Sequence, residues 1–515
     1  MAEPDTVPAL LRRLAAERPG HPLLICDHDR LSYGEADRRS AVLARGLIGL
    51  GAGKGTHVGL LHPNGSAFVV GMLAAARIGA VVVPYPTFAT AAELTAQLRH
   101  SDTEILLATG RFRGHDLAGR LRAAVGGFDS AAPLFNPAVP TLRHVLVDTA
   151  PAPAVDAALL RAMEDDVDGC DVLTIVYTSG STSAPKGVVH THAGLIRHQR
   201  TLNEIRRYRT EDRLFCNSPF FWIGGIAFSL LATMVAGATL ICSVAEDPAD
   251  TLDLLEAERP TLTNGYVTGI AALAAHPSLP HRDLSSLRRG NLYPLMAPEC
   301  RPADPALRHQ MLGMTETGSV VLADPDDGDQ PESRRGSFGR PVPGFATRVA
   351  DPDTGEPVGV GEVGELWVRG PYVMQRYYKR SREQCFTPDG WFRTGDLVRV
   401  DAEGYHYFVG RRAAVIKTAG VNVLPAEVER AITAVTGAPA HVVGLPDARR
   451  GAVVAAVVVV DDPAGFDAEA LRAALRERLS AYMIPRRVVA LPRDRLPVLS
   501  SGKIDLHALA KVFDG

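Results

Sequence analysis

The sequence lacks the features of a nucleic-acid-binding or membrane-spanning protein. Its 55 lysines and arginines are outnumbered by 58 aspartates and glutamates, which gives a formal net charge of −3. No domain-scale basic excess is therefore present to displace counterions from a nucleic-acid backbone. The longest apolar run, 452–460, is far too short to span a bilayer and is typical of a buried strand. We expect neither a nucleic-acid partner nor a membrane span.

Cysteine is scarce and scattered, and the first residues contain no apolar signal core. The six cysteines form no CxxC pair, the spacing that would indicate a zinc site or a redox motif. They favour reduced, mostly buried thiols in a cytoplasmic protein over a disulfide framework. These cysteines are Cys26, Cys170, Cys216, Cys242, Cys300 and Cys385.

The length of 515 residues exceeds one typical core and predicts two or more domains. In the first part of the chain, helical apolar spacing alternates with short β-rich runs, a rhythm that predicts parallel sheet covered by helices. The predicted helices are 10–17, 35–50, 68–78 and 91–99, and the predicted strands are 57–61, 81–84 and 104–108. The fold class is therefore α/β, with a large N-terminal domain of parallel or mixed sheets.

The composition changes beyond Arg412, where a compact segment with strand and helix patterns begins. Its predicted helices are 425–435 and 469–479. We therefore predict a domain of residues 1–411 and a small α+β domain of residues 412–515.

One segment, YTSGSTSAPKGVVHTH at 177–192, has the composition of an anion-binding loop. Apolar residues lead in and out of it, which predicts a strand, a polar turn and a second strand. Successive backbone N–H groups in such a turn can hold phosphate, with Lys186 as a mobile point charge. It is not the Walker loop, because Pro185 precedes the lysine and Gly187 follows it. The alternative is a surface loop rich in small residues. The candidate phosphate ligands are Thr178, Ser179, Gly180, Ser181, Thr182, Ser183 and Lys186.

The whole loop resembles that of the adenylate-forming superfamily of acyl-CoA synthetases, peptide-synthetase adenylation domains and luciferases, usually T-S-G-T-T-G-x-P-K-G. Ser183 stands where the family has its second glycine. The resemblance is closest to actinobacterial acyl-CoA-ligase-like proteins, and the high Ala, Arg, Gly and Pro usage is typical of a high-GC bacterium. It implies a large ATP-binding domain joined by a hinge to a mobile C-terminal domain that carries a catalytic lysine.

A second segment, MLGMTETGS at 311–319, resembles the family's Y-G-M-T-E-T. A carboxylate beside phosphates is repelled unless a divalent cation lies between them, so Glu316 is the candidate Mg²⁺ ligand. Thr315 is implied to contact ATP. The alternative for any Thr-Glu pair is an exposed glutamate. Leu312 replaces the adenine-stacking tyrosine of the family.

Two further segments complete the implied ATP site. WFRTGDLVRVDAEGYHYFVGRR at 391–412 offers Asp396, in a predicted Thr-Gly-Asp turn, as an acceptor for both ribose hydroxyls, and Arg411 for ribose or phosphate. LPVLSSGKIDLHAL near the C-terminus offers Lys503, which the resemblance implies bridges the substrate carboxylate and the α-phosphate. The alternatives are a turn-forming aspartate and a solvated lysine.

The implied acid pocket has an unusual residue. In SPFFWIGGIAF, Trp222 replaces the histidine of the family, and a broad indole suits a planar or long apolar acyl group. The alternative is a core tryptophan. The candidate pocket residues are Trp222, Gly224, Gly225, Tyr266, Gly290 and Met314.

The implied hinge is also unusual. Arg412, Ala413 and Ala414 follow Gly410-Arg411, so alanine occupies both positions at which the family carries its hinge aspartate or lysine. Either the change is harmless, since alanine can absorb a backbone rotation, or the thiolation conformation matters less in this chain.

These segments predict an AMP-forming acid–thiol ligase that adenylates a small aryl or fatty acid with ATP and Mg²⁺ and passes it to CoA. Lys503, Lys186 and Glu316 are the predicted catalytic residues. One alternative is an actinobacterial ATP-dependent diazotase of secondary metabolism, which adenylates nitrite for attack by an aryl amine. Another is a non-catalytic nucleotide-binding homologue. Both a monomer and a homodimer stay open.

Overall fold

The computed structural model describes residues 5–178, 186–418, 421–447, 449–499 and 503–514. The chain forms two compact units, one of residues 1–346 and 369–392 and the other of residues 347–368 and 393–515. The predicted domain boundary at Arg411/Arg412 stays a prediction. No helix of the described residues is long and apolar enough to cross a membrane.

The helices of the described residues are close to those predicted from apolar spacing. They are α1 (Val7–Glu17), α2 (Tyr33–Gly49), α3 (Ser66–Arg77), α4 (Ala91–Ser101), α5 (Leu117–Val125), α6 (Ala157–Asp165), α7 (His192–Arg206), α8 (Ile223–Gly225), α9 (Ala232–Ala236), α10 (Pro248–Glu258), α11 (Ala271–Ala274), α12 (Pro425–Thr436), α13 (Ala468–Arg476) and α14 (Leu506–Lys511).

The strands of the described residues are short, as expected for sheets that helices cover. They are β1 (Pro22–Cys26), β2 (Asp29–Ser32), β3 (His57–Leu61), β4 (Val81–Pro84), β5 (Ile105–Ala108), β6 (Arg111–Phe112), β7 (His115–Asp116), β8 (His144–Val147), β9 (Val172–Thr178), β10 (Lys186–Thr191), β11 (Arg213–Cys216), β12 (Thr239–Cys242), β13 (Leu262–Asn264), β14 (Arg289–Gly290), β15 (Leu312–Met314), β16 (Ser319–Ala323), β17 (Arg340–Pro341), β18 (Ala346–Ala350), β19 (Val363–Arg369), β20 (Arg376–Tyr377), β21 (Phe392–Val400), β22 (His406–Arg411), β23 (Ile416–Thr418), β24 (Val421–Val423), β25 (Ala440–Asp447), β26 (Gly451–Val459) and β27 (Arg487–Leu491).

Two mixed sheets form the framework of the larger unit. Their strand orders in the described residues are β14-β13-β11-β12-β1-β2 and β20-β10-β9-β4-β3-β5-β8. The inner pairs are parallel, as the alternation of strands and helices predicted, whereas β9, β10 and β20 pair antiparallel at one edge of the second sheet. Helix α3 is apolar on nearly every side. The buried core beside it is built mainly from leucine, valine and alanine. This fold confirms the predicted α/β class.

The smaller unit contains two sheets of mainly antiparallel strands. One has the order β18-β19-β21-β22, and the other has the order β24-β23-β26-β25 with β27 parallel to β26. Helices α12 and α13 cover the second sheet with residues such as Val428, Ile432 and Leu471. The predicted α+β character of the C-terminal segment is confirmed.

Two local features differ from the expectations. The Thr-Gly-Asp segment does not form a turn between elements but lies inside β21, where Gly395 has a φ of +74° and the pairing register shifts a little further on. That left-handed conformation needs glycine and produces a bulge rather than a chain reversal. The helix after Trp222 contains a π-helical turn, Ile226–Leu231, that apolar spacing did not predict.

Candidate active site

The predicted phosphate loop closes a β-hairpin. Strands β9 and β10 pair antiparallel, and their last and first residues, Thr178 and Lys186, are register partners. The flanking strands are therefore confirmed, and the two candidate ligands at the ends of the loop are brought together. The other candidate ligands, Ser179, Gly180, Ser181, Thr182 and Ser183, lie outside the described residues.

Tyr377 connects Lys186 with Glu316. It lies in β20, which pairs with β10 so that Tyr377 is opposite Val188. The Tyr377 Oη donates a hydrogen bond to Glu316 Oε1 over 2.7 Å, and Lys186 Nζ lies 5.7 Å from the centre of the Tyr377 ring. Burial, together with the Glu316 carboxylate, raises the pKa of Tyr377, so the phenol stays protonated and donates. The predicted lysine and glutamate therefore share one tyrosine.

The backbone of the Thr315-Glu316 pair is held from two sides. The pair begins a 3₁₀ turn, Thr315–Thr317, directly after β15. His190 Nε2 lies 2.7 Å from the Thr315 carbonyl oxygen, and Met374 N donates to the Glu316 carbonyl oxygen over 2.8 Å. Burial lowers the pKa of His190 to about 4, so the ring is neutral near pH 7 and Nε2 carries the donating proton. Two hydrogen bonds thus fix the backbone of the pair, and the bond from Tyr377 fixes the Glu316 side chain.

The donor set suits a magnesium ion that ATP brings with it. No cluster of three or more His, Cys, Asp or Glu side chains that could hold a metal ion occurs in the described part of the chain. Mg²⁺ is commonly bound by one or two carboxylates together with substrate phosphates, and a full protein cage is not required. Because Tyr377 occupies Oε1, Glu316 keeps Oε2 for such an ion.

The predicted ribose site belongs to the smaller unit. Asp396 and Arg411 are register partners on β21 and β22, and Arg411 Nε lies 2.5 Å from Asp396 Oδ1. Asp396 is completely buried while the Arg411 side chain is 57% exposed, so the guanidinium is the part of the pair that a ligand can reach. Thr394 Oγ1 accepts from Asp396 N over 3.0 Å and donates to the Leu366 carbonyl oxygen over 2.7 Å. These bonds fix the backbone at Asp396 in the bulged strand.

Lys503 and the hinge residues also lie in the smaller unit. Lys503 is exposed, and its carbonyl oxygen accepts from Leu499 N over 2.7 Å. The hinge residues Arg412, Ala413 and Ala414 form a 3₁₀ turn with its first two residues exposed. Arg412 Nη2 donates to Asp353 Oδ1 over 2.8 Å, which ties the start of the turn to its own unit.

Trp222 is part of a cluster of aromatic rings, defined here as the aromatic cluster of Phe88, Phe221, Trp222 and Tyr266. The Trp222 ring is T-shaped to Phe221 at 5.7 Å and to Tyr266 at 5.9 Å between centroids, and tilted to Phe88 at 6.3 Å. Trp222 is half-buried and the Tyr266 side chain is exposed, so the cluster reaches the surface. The pocket role of Trp222 and its alternative, a core tryptophan, both stay predictions.

Of the two glycines after Trp222, Gly225 is required by close packing, whereas a Cβ at Gly224 would make only ordinary contacts. A Cβ at Gly225 would lie 2.0 Å from the Pro219 carbonyl oxygen, so no side chain fits there. The Gly224 carbonyl oxygen accepts from Ser229 Oγ over 2.9 Å. Their role in the structure is to shape the start of the helix that carries Trp222. Met314, the last residue of β15, is half-buried.

A cavity of about 650 Å³ lies in the larger unit beside the edge strand β14. Gly290, a predicted pocket residue, lines it, and so does Asn264, two residues before Tyr266. Helix α7 contributes Leu202 and Ile205. This volume is in the range of pockets that hold drug-sized ligands.

Sequence reasoning missed Tyr377 and His190 as parts of the site. Tyr377 lies in the segment 364–379, where apolar and polar residues alternate, and His190 lies just after the phosphate loop in the segment 177–192. Their contacts depend on which strands become neighbours.

Comparison with known proteins covers both units. The model of the AMP-binding enzyme family matches residues 11–378, and that of the AMP-binding enzyme C-terminal domain matches residues 427–503. A feruloyl-CoA synthase of Amycolatopsis sp is 36% identical over 486 residues, 92% of each chain. The 3-[(3aS,4S,7aS)-7a-methyl-1,5-dioxo-octahydro-1H-inden-4-yl]propanoyl:CoA ligase of Mycobacterium tuberculosis is 33% identical over 531 residues, 98% of this chain and 99% of the relative. The structure of ATP-bound MatB from Rhodopseudomonas palustris superposes with a TM-score of 0.80 at 26% identity, covering 98% and 99% of the two chains.

Proposed function

The chain belongs to the AMP-binding enzyme family, and on this basis we propose that it is an AMP-forming ligase that activates a planar aryl acid with ATP and joins it to CoA. Acid–CoA ligation is the activity of the relatives that cover nearly the whole chain. The restriction of the substrate to aryl acids is the narrower part of the proposal.

The aromatic cluster around Trp222 is the observation that favours an aryl acid as the substrate. Aromatic rings prefer T-shaped or offset arrangements with other rings, and each such pair contributes about 0.5–1.5 kcal/mol beyond area burial. Trp222 already makes two T-shaped contacts and remains half-buried, which leaves ring surface for a flat substrate. A feruloyl-CoA synthase among the relatives acts on an acid with such a ring.

The proposed roles of the phosphate-binding residues follow from their charges. Thr178 and Lys186 at the ends of the loop would contact the phosphates of ATP, and Lys186 would supply a positive charge. Glu316 would hold Mg²⁺ through Oε2, with Tyr377 fixing the carboxylate through Oε1. Mg²⁺, when bound, neutralises phosphate charge.

In the first half-reaction, a carboxylate oxygen of the acid attacks the α-phosphorus of ATP and pyrophosphate leaves. Charge builds up on phosphoryl oxygens in such a transfer, so positioning and electrostatic stabilisation supply most of the catalysis. We propose that the ammonium group of Lys503 contacts both the α-phosphate and the reacting carboxylate. Arg411, the accessible member of its pair with Asp396, would contact the ribose.

In the second half-reaction, the thiol of CoA attacks the acyl carbon and AMP leaves. The hinge turn Arg412–Ala414 is the proposed site of the conformational change between the two steps. Its alanines are compatible with that change, because alanine adopts the common backbone conformations freely. Nitrite activation and a non-catalytic role, the two alternatives from the sequence, receive no support from the named relatives.

Pyrophosphate exchange with paired acids tests the aryl assignment. Ferulic acid and octanoic acid both carry one carboxylate, but only the first is planar and aromatic. We expect exchange with ferulic acid at a kcat/KM about two- to tenfold above that with octanoic acid, since one ring pair contributes about 0.5–1.5 kcal/mol. Equal values, or a preference for octanoic acid, would contradict the aryl assignment and leave acid activation intact.

A further inference from the structure

The cavity beside β14 contains one arginine with an unusual environment. Arg206, the last residue of α7, lines the cavity of about 650 Å³. Its guanidinium carbon lies 4.1 Å from the centre of the Phe228 ring, and Nη1 donates to the Phe228 carbonyl oxygen over 3.2 Å. The guanidinium therefore lies over an aromatic face, and within the described part of the chain only Nη1 donates a hydrogen bond.

Three of the other four arginines that line the cavity are paired with carboxylates, and the fourth, Arg301, is exposed and donates to backbone carbonyl oxygens. Arg288 lies 2.5 Å from Asp212, Arg289 lies 2.5 Å from Asp327, and Arg308 pairs with Asp329. Within the described ranges, no carboxylate oxygen lies within ion-pairing distance of Arg206. The carboxylates of Asp324 and Asp326, which also line the cavity, accept from a backbone N–H and from Gln330.

The Arg206 side chain is half-buried, and no described carboxylate pairs with it. Burial lowers the pKa of Arg206 to about 10, which leaves the group positively charged near neutral pH. A partly desolvated charge without a partner is costly, and the contact with Phe228 offsets only part of that cost. A ligand that brings an anionic oxygen into the cavity would offset the rest.

Phe228 lies in the π-helical turn Ile226–Leu231, six residues after Trp222 on one continuous helical segment that starts at Ile223. π-helical turns occur often at functional sites. Ser229, the next residue, accepts a hydrogen bond from Asn264 Nδ2 over 3.3 Å, and Asn264 lines the cavity two residues before Tyr266 of the aromatic cluster. This bond links the segment that carries Trp222 and Phe228 with the cavity.

We propose that Arg206 recognises a second anionic oxygen group of the acid substrate, a carboxylate or an ionised phenol at a position other than the carboxyl that is activated. This inference rests on the proposed aryl-acid ligase function and narrows its substrate class. Guanidinium offers parallel donors that match a carboxylate, and a site built to bond a substrate oxygen discriminates strongly against the analogue without it.

Two acids that differ in one group test the inference. We would measure KM and kcat for pyrophosphate exchange with cinnamic acid and with 4-carboxycinnamic acid, using the full chain and the variants Arg206→Met and Arg206→Gln. Arg301→Met is the matched control, because Arg301 lines the same cavity but is exposed and donates to the Met296 carbonyl oxygen over 2.7 Å.

The wild-type chain should prefer 4-carboxycinnamic acid by about tenfold or more, mainly through a lower KM, as expected for a charge-assisted hydrogen bond. Arg206→Met should lose this preference and keep its activity on cinnamic acid, whereas Arg301→Met should keep both. If Arg206→Met does not fold, Arg206→Gln, which retains a donor for Phe228 but no charge, should show the same loss.

Three results would overturn the inference. One is a wild-type chain that treats both acids alike, another is an equal loss on both acids in the folded Arg206 variants, and the third is an unchanged preference in those variants. In each of these three cases, exchange with cinnamic acid by the wild-type chain would show that the proposed aryl-acid function is still correct. An absence of exchange with either aryl acid would instead contradict the proposed function.

Discussion

The hydroxyl of Tyr377 donates a 2.7 Å hydrogen bond to Oε1 of Glu316, across 61 residues of sequence. This bond leaves one carboxylate oxygen for a metal ion and fixes the direction in which that oxygen points. Partners of this kind around a metal ligand typically change metal affinity by about 10–100-fold when they are removed. The pair therefore connects strand pairing at the sheet edge with the proposed chemistry of ATP binding.

Tyr377→Phe should raise the Mg²⁺ concentration needed for tight ATP binding by about tenfold, because Glu316 would lose its orienting partner. Calorimetric titration of ATP at a series of Mg²⁺ concentrations measures this without turnover. Tyr378→Phe is the control, since the Tyr378 hydroxyl donates to Asp102 Oδ2 over 2.9 Å instead.

Glu316→Gln provides the reference for that experiment. If Glu316→Gln shifts the Mg²⁺ requirement and Tyr377→Phe does not, the orienting role of Tyr377 is wrong. If Glu316→Gln leaves the requirement unchanged as well, Glu316 is not the magnesium ligand. An equal shift in Tyr378→Phe would indicate a general structural effect.

Lys503→Ala should lower the rate of pyrophosphate exchange by orders of magnitude, because the variant lacks the charge that would stabilise the reacting oxygens. ATP binding, measured by calorimetry, should remain within a few-fold of the wild-type value. Lys511→Ala is a control on the same unit, in the last turn of α14. Wild-type exchange in Lys503→Ala would rule out the assigned role.

Trp222→Leu should reduce kcat/KM for ferulic acid by about tenfold, since the substrate ring would lose its T-shaped or stacked partner. The value for octanoic acid should change less, because leucine still supplies apolar surface. Trp391→Leu, outside the aromatic cluster, is the control. A uniform loss on both acids in Trp222→Leu would show that the indole acts only in packing.

The stability of the larger unit should depend on pH through His198, which is buried and stacked on Tyr372 at 4.9 Å. Burial lowers the pKa of His198 to about 3 from 6.5, so the unfolded chain binds the proton first as the pH falls. The stability that the neutral ring contributes is complete above pH 6.5 and is lost progressively as the pH falls from 6.5 towards 3.

His198→Gln removes the titrating group while keeping a donor for the Val320 carbonyl oxygen, which His198 Nε2 contacts at 2.8 Å. The variant should lose less stability than the wild-type chain between pH 7 and pH 5, as measured by urea unfolding at both values. A similar loss in the two proteins would show that His198 does not contribute to this pH dependence.

Candidate site residues could be named from the sequence, whereas the contacts between them could not. Lys186, Glu316, Asp396, Arg411 and Lys503 lie in segments whose composition and family resemblance are readable along the chain. The strands beside the phosphate loop follow from the same local pattern, and the structure confirms them.

Long-range contacts could not be predicted from local patterns in the sequence. The Tyr377 bond exists because β20 pairs with β10, and no local pattern specifies that pairing. Arg206 is notable because it has no carboxylate partner in the described residues, whereas Arg288 and Arg289 each have one. Only the folded chain reveals this difference. The bulge at Gly395 was mistaken for a turn because glycine beside aspartate is typical of both.

The most direct test of the proposed function is the mass of the product formed from ATP, Mg²⁺, CoA and ferulic acid. The proposed ligase should release AMP and form the feruloyl-CoA thioester in equal amounts, with neither product in the absence of the acid. AMP formation without any thioester, or AMP formation that requires nitrite and is indifferent to CoA, would contradict it.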